Sequence, residues 1–195
     1  PQDSEVALKD IKDPAKKKQR KQDEKLAKKV LNEYVKFYSN LFNTGVIGNT
    51  ELAMVQGALL SHMDSVLARA ASLKYISKNA YKFKNPGQDL EFEHMLPRVF
   101  VLIKLFDAHI NKGGVNNIDA FLENYTVAII PATMNDVLKD AGFNNSLFPG
   151  QTLEMPAWIR YFNDITLSKD DGRLVSLLDI DNNMKELKVS EAHVR

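Results

Sequence analysis

Four histidines occur in 195 residues, and one stands directly after a glutamate in the run DLEFEHMLPRVF at 89–100. An imidazole titrates near neutral pH and can take a proton there. A carboxylate oxygen is the ligand type that a hard cation such as Mg²⁺ prefers. Glu93 and His94 thus have the composition of half a metal-dependent active site. The bland alternative is a charged loop entry, with His94 held by hydrogen bonds at a strand end. A second chemistry lies in KDPAKKKQRKQDEKLAKK at 12–29. Lys16, Lys17, Lys18, Arg20 and Lys21 precede any sustained apolar pattern, and clustered lysines bind phosphate backbones by releasing counterions. The same run equally suits a solvated helix end.

The elements that must carry these residues follow from periodicity. Leu26, Val30, Tyr34 and Phe37 recur at helical spacing, with Leu31, Val35 and Tyr38 beside them, which predicts one long helix from about Pro14 to Phe42. After the glycine-containing loop NTGVIGNTE, Thr50 is the expected cap of a helix over 51–74 whose apolar face is Leu52, Val55, Leu59, Met63, Val66 and Ala70. His62 is expected to be packed or at the boundary of that face. YKFKNPGQ predicts a basic loop with a turn at Pro86-Gly87. Leu90, Phe92 and His94 alternate with Asp89, Glu91 and Glu93, as a short strand with one apolar face would. Pro97 suits the first turn of a helix, and RVFVLIKLFDAHI is apolar almost all round, as in a buried helix. NKGGVNN ends it, and a short helix IDAFLENY leads to TVAII, a second strand. Pro131 opens the helix ATMNDVLKDAG, closed by Gly142. Met134, Val137, Leu138 and Ala141 make its apolar face. Asn135 lies about 100° from that face and Asp136 about 200°. Asn135 therefore borders the core.

Stripped of inserted helices, the order is strand, strand, helix. On EHMLP (93–97) and TVAIIPATMN (126–135) the chain resembles the HNH branch of the His-Me finger endonucleases, whose ββα-metal unit holds its site between a hairpin and one helix. The resemblance implies His94 as general base, and Glu93 and Asn135 as ligands of Mg²⁺ or Mn²⁺. It implies hydrolysis of DNA phosphodiesters, in which the base deprotonates a water and the cation neutralises the phosphate and the departing alkoxide. Three features depart from the family pattern. An ideal pleat points Glu93 and His94 to opposite faces, Thr126 stands where the family has an asparagine, and the interval between the halves is long.

Other candidates point to structure. His109 ends a helix, where the dipole favours it. DIDNN at 179–183 begins like a calcium loop, but Met184 and Ser190 stand where glycine and glutamate are needed. LVSLLDIDNNMKELKV fits a β-hairpin with an Asn-rich turn. MPAWIRYFND at 155–164, with the single Trp158, suits a short amphipathic helix on the core better than a DNA contact.

Composition bounds the class. Hydrophobic content of 44% with 26% charge, and a net charge of +1, describe an ordinary globular chain whose basic character is local. Cysteine is absent, which removes disulfides, thiolate nucleophiles and cysteine zinc sites and fits a reducing, cytoplasmic compartment. No apolar run reaches the roughly 18 residues of a membrane span. Pro1 suggests a piece of a longer polypeptide, with a phage-encoded one in view. The expected architecture is mainly α. A basic N-terminal helix (1–45) precedes a single helical domain (46–195) with an embedded ββα-metal-like element (88–142) and a C-terminal hairpin. The expected function is a metal-dependent endonuclease with DNA as partner. The alternative is a non-catalytic helical interaction module within a larger protein assembly.

Overall fold

The computed structural model describes residues 11, 13–78, 90–111, 122–140, 142, 146–147, 157–158 and 177–187. About 63% of them are helical, and the rest centre on a five-stranded mixed sheet. Helix α1 spans Pro14–Asn43. It starts where Asp13 accepts hydrogen bonds from the backbone N–H of Ala15 (2.8 Å) and Lys16 (3.4 Å), with Pro14 at the first helical position, where no N–H is needed. Its buried stripe is Ala27, Lys28, Leu31, Val35 and Ser39. The expected leading stripe is rotated out of the core: Leu26 is 62% exposed and Phe37 56% exposed. Two adjacent stripes satisfy the same helical period, and packing against the following helices chooses the one centred on Leu31.

The predicted 51–74 helix is three elements. Helix α2, Asn49–His62, is preceded by Gly48 rather than capped by Thr50. The Glu51 carboxylate accepts from the Gly48 N–H at 3.0 Å. The chain breaks at Met63, continues as α3, Asp64–Ala70, and then extends as β1, Ser72–Ser77. The apolar face does line the core through Leu52, Leu59 and Ala70, but His62 is exposed. The loop expected over 81–88 lies outside the described residues.

Strand β2 is Leu90–His94 and β3 is Thr126–Pro131, joined through helix α4, Arg98–Asn111. Helix α5, Ala132–Asp140, follows β3 directly. Strands β4 (Leu177–Asp179) and β5 (Lys185–Glu186) form the antiparallel hairpin read from the Asn-rich turn. There Asp179 Oδ1 accepts from the N–H of Asp181 (2.9 Å) and Asn182 (3.0 Å), an Asx turn. The strand order is β2-β3-β1-β4-β5, with β1 and β3 parallel and the other pairs antiparallel. Two strands were expected ahead of the hairpin and there are three. The Ala-rich lead-in hides β1, whose extended form is sustained by pairing with β3.

Helix α4 is two-sided: Leu102, Leu105 and Phe106 are fully buried while Ile103 is exposed. His109 is buried on it and pairs with Asn32 of α1 (Nε2 to Oδ1, 2.9 Å), so a specific partner holds it beyond any dipole effect. Trp158 packs on the core, whereas 155–156 and 159–164 lie outside the described residues, as do 112–121 and Ala141. No helix among the described residues is long and apolar enough to cross a membrane.

Candidate functional site

The register of β2 on β3 decides where the acid–histidine pair points. Leu90, Phe92 and His94 lie opposite Pro131, Ile129 and Val127, and Glu91 and Glu93 lie opposite Ile130 and Ala128. Opposed residues of an antiparallel pair share a face, and neighbours along a strand alternate. His94 and Phe92 therefore face one side of the sheet, and Glu91 and Glu93 the other. Pairing is regular through His94, so no end distortion brings Glu93 and His94 together.

On the glutamate side, α5 packs against β2 and β3, and the Asn135 side-chain N–H donates to Glu91 Oε2. Asn135 borders the core as its helical angle predicted, but its contact is Glu91. Glu93 stands two residues on, about 7 Å along the strand. Glu91, Glu93 and Asn135 offer oxygen donors of the kind Mg²⁺ takes. Among the described residues, however, no group of three His, Asp or Glu side chains gathers to hold a metal. A cation bound by Glu93 and Asn135 would lie across the sheet from the His94 imidazole. The donor set thus does not fit a single centre with His94.

The other face meets α1. Residues 17, 21, 24, 28, 31 and 35 follow one another at helical spacing, so the stripe that buries Leu31 and Val35 continues N-terminally as Lys17, Lys21, Glu24 and Lys28. That stripe lies toward the sheet and α3, and a groove of about 790 Å³ opens between them. Lys17, Arg20, Lys21 and Arg69 line it with Phe92 and His94, and among the described residues its walls carry six cationic side chains against three carboxylates. Lys16 and Lys18 point away to solvent on α1. The basic run and the histidine, some 75 positions apart in sequence, share one groove.

Its carboxylates are engaged. Glu24 receives Lys28 Nζ at 2.7 Å and the Ser72 hydroxyl at 2.5 Å, which compensates Lys28, only 6% exposed. Asp181, presented by the β4–β5 turn, meets Lys17 Nζ at 2.7 Å and Lys21 Nζ at 3.8 Å. Burial pushes the Asp181 carboxyl up, but the Lys17 hydrogen bond and the charges of Lys21 and Lys74 outweigh it and hold it below its ordinary value.

His94 sits half-buried, its ring 5.8 Å from that of Tyr125. Burial is the main cause that lowers its pKa, and Arg98 adds to this; a hydrogen bond to the Ala68 backbone and the charge of Asp64 work the other way. Asp64 and Arg98 are themselves ion-paired. Burial and Arg98 thus favour the neutral imidazole, whose Nε2 is itself buried from solvent. Sequence patterning does not single out Phe92, Arg69 or Asp181. The one signal for the groove is the continuity of the α1 stripe from apolar to basic.

No protein-family model, curated protein or solved structure matches the chain.

Proposed function

We propose that this chain binds the phosphodiester backbone of nucleic acid in the groove between α1 and the sheet. The observation that carries the reading is the convergence of Lys17, Arg20, Lys21 and Arg69 on one groove whose floor holds His94. Aligned cations neutralise phosphates and release counterions, so affinity falls steeply with salt. This is a binding module, consistent with work inside a larger polypeptide. The test is anisotropy of a labelled oligonucleotide across a salt series. Lys17→Gln with Lys21→Gln should weaken binding and flatten its salt slope, while Lys18→Gln, outside the groove, should change both far less. Equal losses from all three positions, or none, would overturn it.

A second reading is favoured by one observation, the neutral imidazole in that groove. It is a metal-dependent endonuclease of His-Me finger type, with His94 as base and Mg²⁺ or Mn²⁺ as the cation. Supporting it is the succession β2, β3, α5, with α5 against both strands. Against it stands the placement of Glu93 and Asn135 on the opposite face. Plasmid incubated with Mg²⁺ or Mn²⁺, with and without chelator, separates the two. Chelator-sensitive cleavage reduced about 10²–10⁴-fold by His94→Ala supports hydrolysis; binding without metal-stimulated cleavage leaves the binding module alone.

A further inference from the structure

The groove contains an exposed aromatic side chain that phosphate binding does not use. Phe92 is 54% exposed and lies on β2, the edge strand of the sheet. It lines the groove from the same sheet face as His94, and Lys17, Arg20 and Arg69 line that groove as well. On the neighbouring strand β3 that face is buried: Ile129, opposite Phe92, is fully buried with Ile76 and Leu178, and Val127 is buried too. An exposed aromatic ring in a groove lined by cations is the combination that single-strand binding surfaces use, since each unpaired base has a face to stack while the cations track the backbone.

We infer that the preferred ligand is single-stranded nucleic acid, with an unpaired base stacked on Phe92 and the adjoining phosphates against the α1 cations. The inference rests on the phosphate-binding reading of the groove and specifies its substrate class. Size argues the same way. A volume of about 790 Å³ is that of a small-ligand cleft, roughly 300–1,000 Å³, which admits a short run of nucleotides and not a double helix. In a duplex both faces of every internal base are already covered by neighbours, and the ring would gain nothing.

The experiment compares fluorescein-labelled oligo-dT, oligo-U and a hairpin duplex of equal nucleotide count, by anisotropy at one low salt concentration. Wild type should bind the single strands at least tenfold more tightly than the duplex. Phe92→Ala should lower single-strand affinity about 5- to 100-fold, the range of one lost base stack, and leave duplex affinity unchanged. Phe92→Leu, which keeps apolar bulk but has no ring, should behave like Phe92→Ala, and Phe92→Trp should retain binding. Thermal melts of all three should match wild type, because the ring is outside the core. Equal affinity for single strand and duplex, insensitive to Phe92→Ala, overturns the single-strand inference and leaves the groove reading standing. Failure of wild type to bind any of the three probes overturns the groove reading itself.

Discussion

If the groove binds phosphates as proposed, Asp181 competes with them for Lys17 and Lys21, and Asp181→Asn should tighten nucleic-acid binding. Its carboxylate bridges Lys17 at 2.7 Å and Lys21 at 3.8 Å and is held ionised by them, since its pKa is lowered despite burial. The neutral amide removes one negative charge and releases two ammonium groups to the ligand. All three side chains are more than a third exposed, so each ion pair is worth about 0–1 kcal/mol. The fold should lose at most about 2 kcal/mol, a fall in Tm of no more than about 8 °C for a chain of this size. The gain in binding is of the same origin. Two such attractions, transferred from Asp181 to phosphates, amount to at most about 2 kcal/mol, an increase in affinity of up to about 30-fold. The salt slope should steepen by about 0.7 for each lysine that gains a single-strand phosphate. Anisotropy with oligo-dT across a salt series reads both quantities. Asp179→Ala, which removes the acceptor for the Asp181 and Asn182 N–H groups, should move binding in the same direction by loosening the turn. Unchanged or weaker affinity for Asp181→Asn, with an unchanged slope, would refute the placement of phosphate at Lys17 and Lys21.

Three further outcomes are expected. Leu31→Ala should cost about 2–5 kcal/mol in urea unfolding, because Leu31 is fully buried, whereas Leu26→Ala on the exposed stripe should stay within about 0.5 kcal/mol; equal costs would place the buried stripe elsewhere. Tyr125→Phe should lose about 1–3 kcal/mol in urea unfolding, since the buried Tyr125 hydroxyl donates to the Leu67 carbonyl at 2.9 Å and its removal takes that partner away. His94 and His109 both have pKa values lowered from 6.5, burial being the main cause in each, with Arg98 and Lys36 adding to it respectively. The unfolded chain therefore takes up these protons first. Stability should be full above about 6.5 and fall with pH through the window between that value and the lowered ones. Urea midpoints across a pH series should show the decline, and His94→Gln with His109→Gln should flatten it.

Local chemistry determined much of this chain without help from the fold. Asp13-Pro14 starts α1 because a carboxylate can cap orphan N–H groups and proline needs none. Alternation sets β2 over 90–94, and the Asn-rich turn with Asp179 as acceptor sets the final hairpin. Each depends on residues within a few positions of one another. The pleat also foretold that Glu93 and His94 would point apart. Three matters were decided only by packing. Leu26 and Leu31 head stripes that both fit a helix, and the choice between them lay with the partners waiting at α3 and α4. Ser72–Ser77 followed an Ala-rich helix and carried no strand signal of its own; a parallel pairing with β3, some 54 residues later, made it β1. The groove itself required α1 to lie over the face of β2 that holds Phe92 and His94, with Asp181 arriving from the far end of the chain to meet Lys17. Such juxtapositions depend on contacts between residues distant in sequence, and periodicity within any one segment contains no record of them.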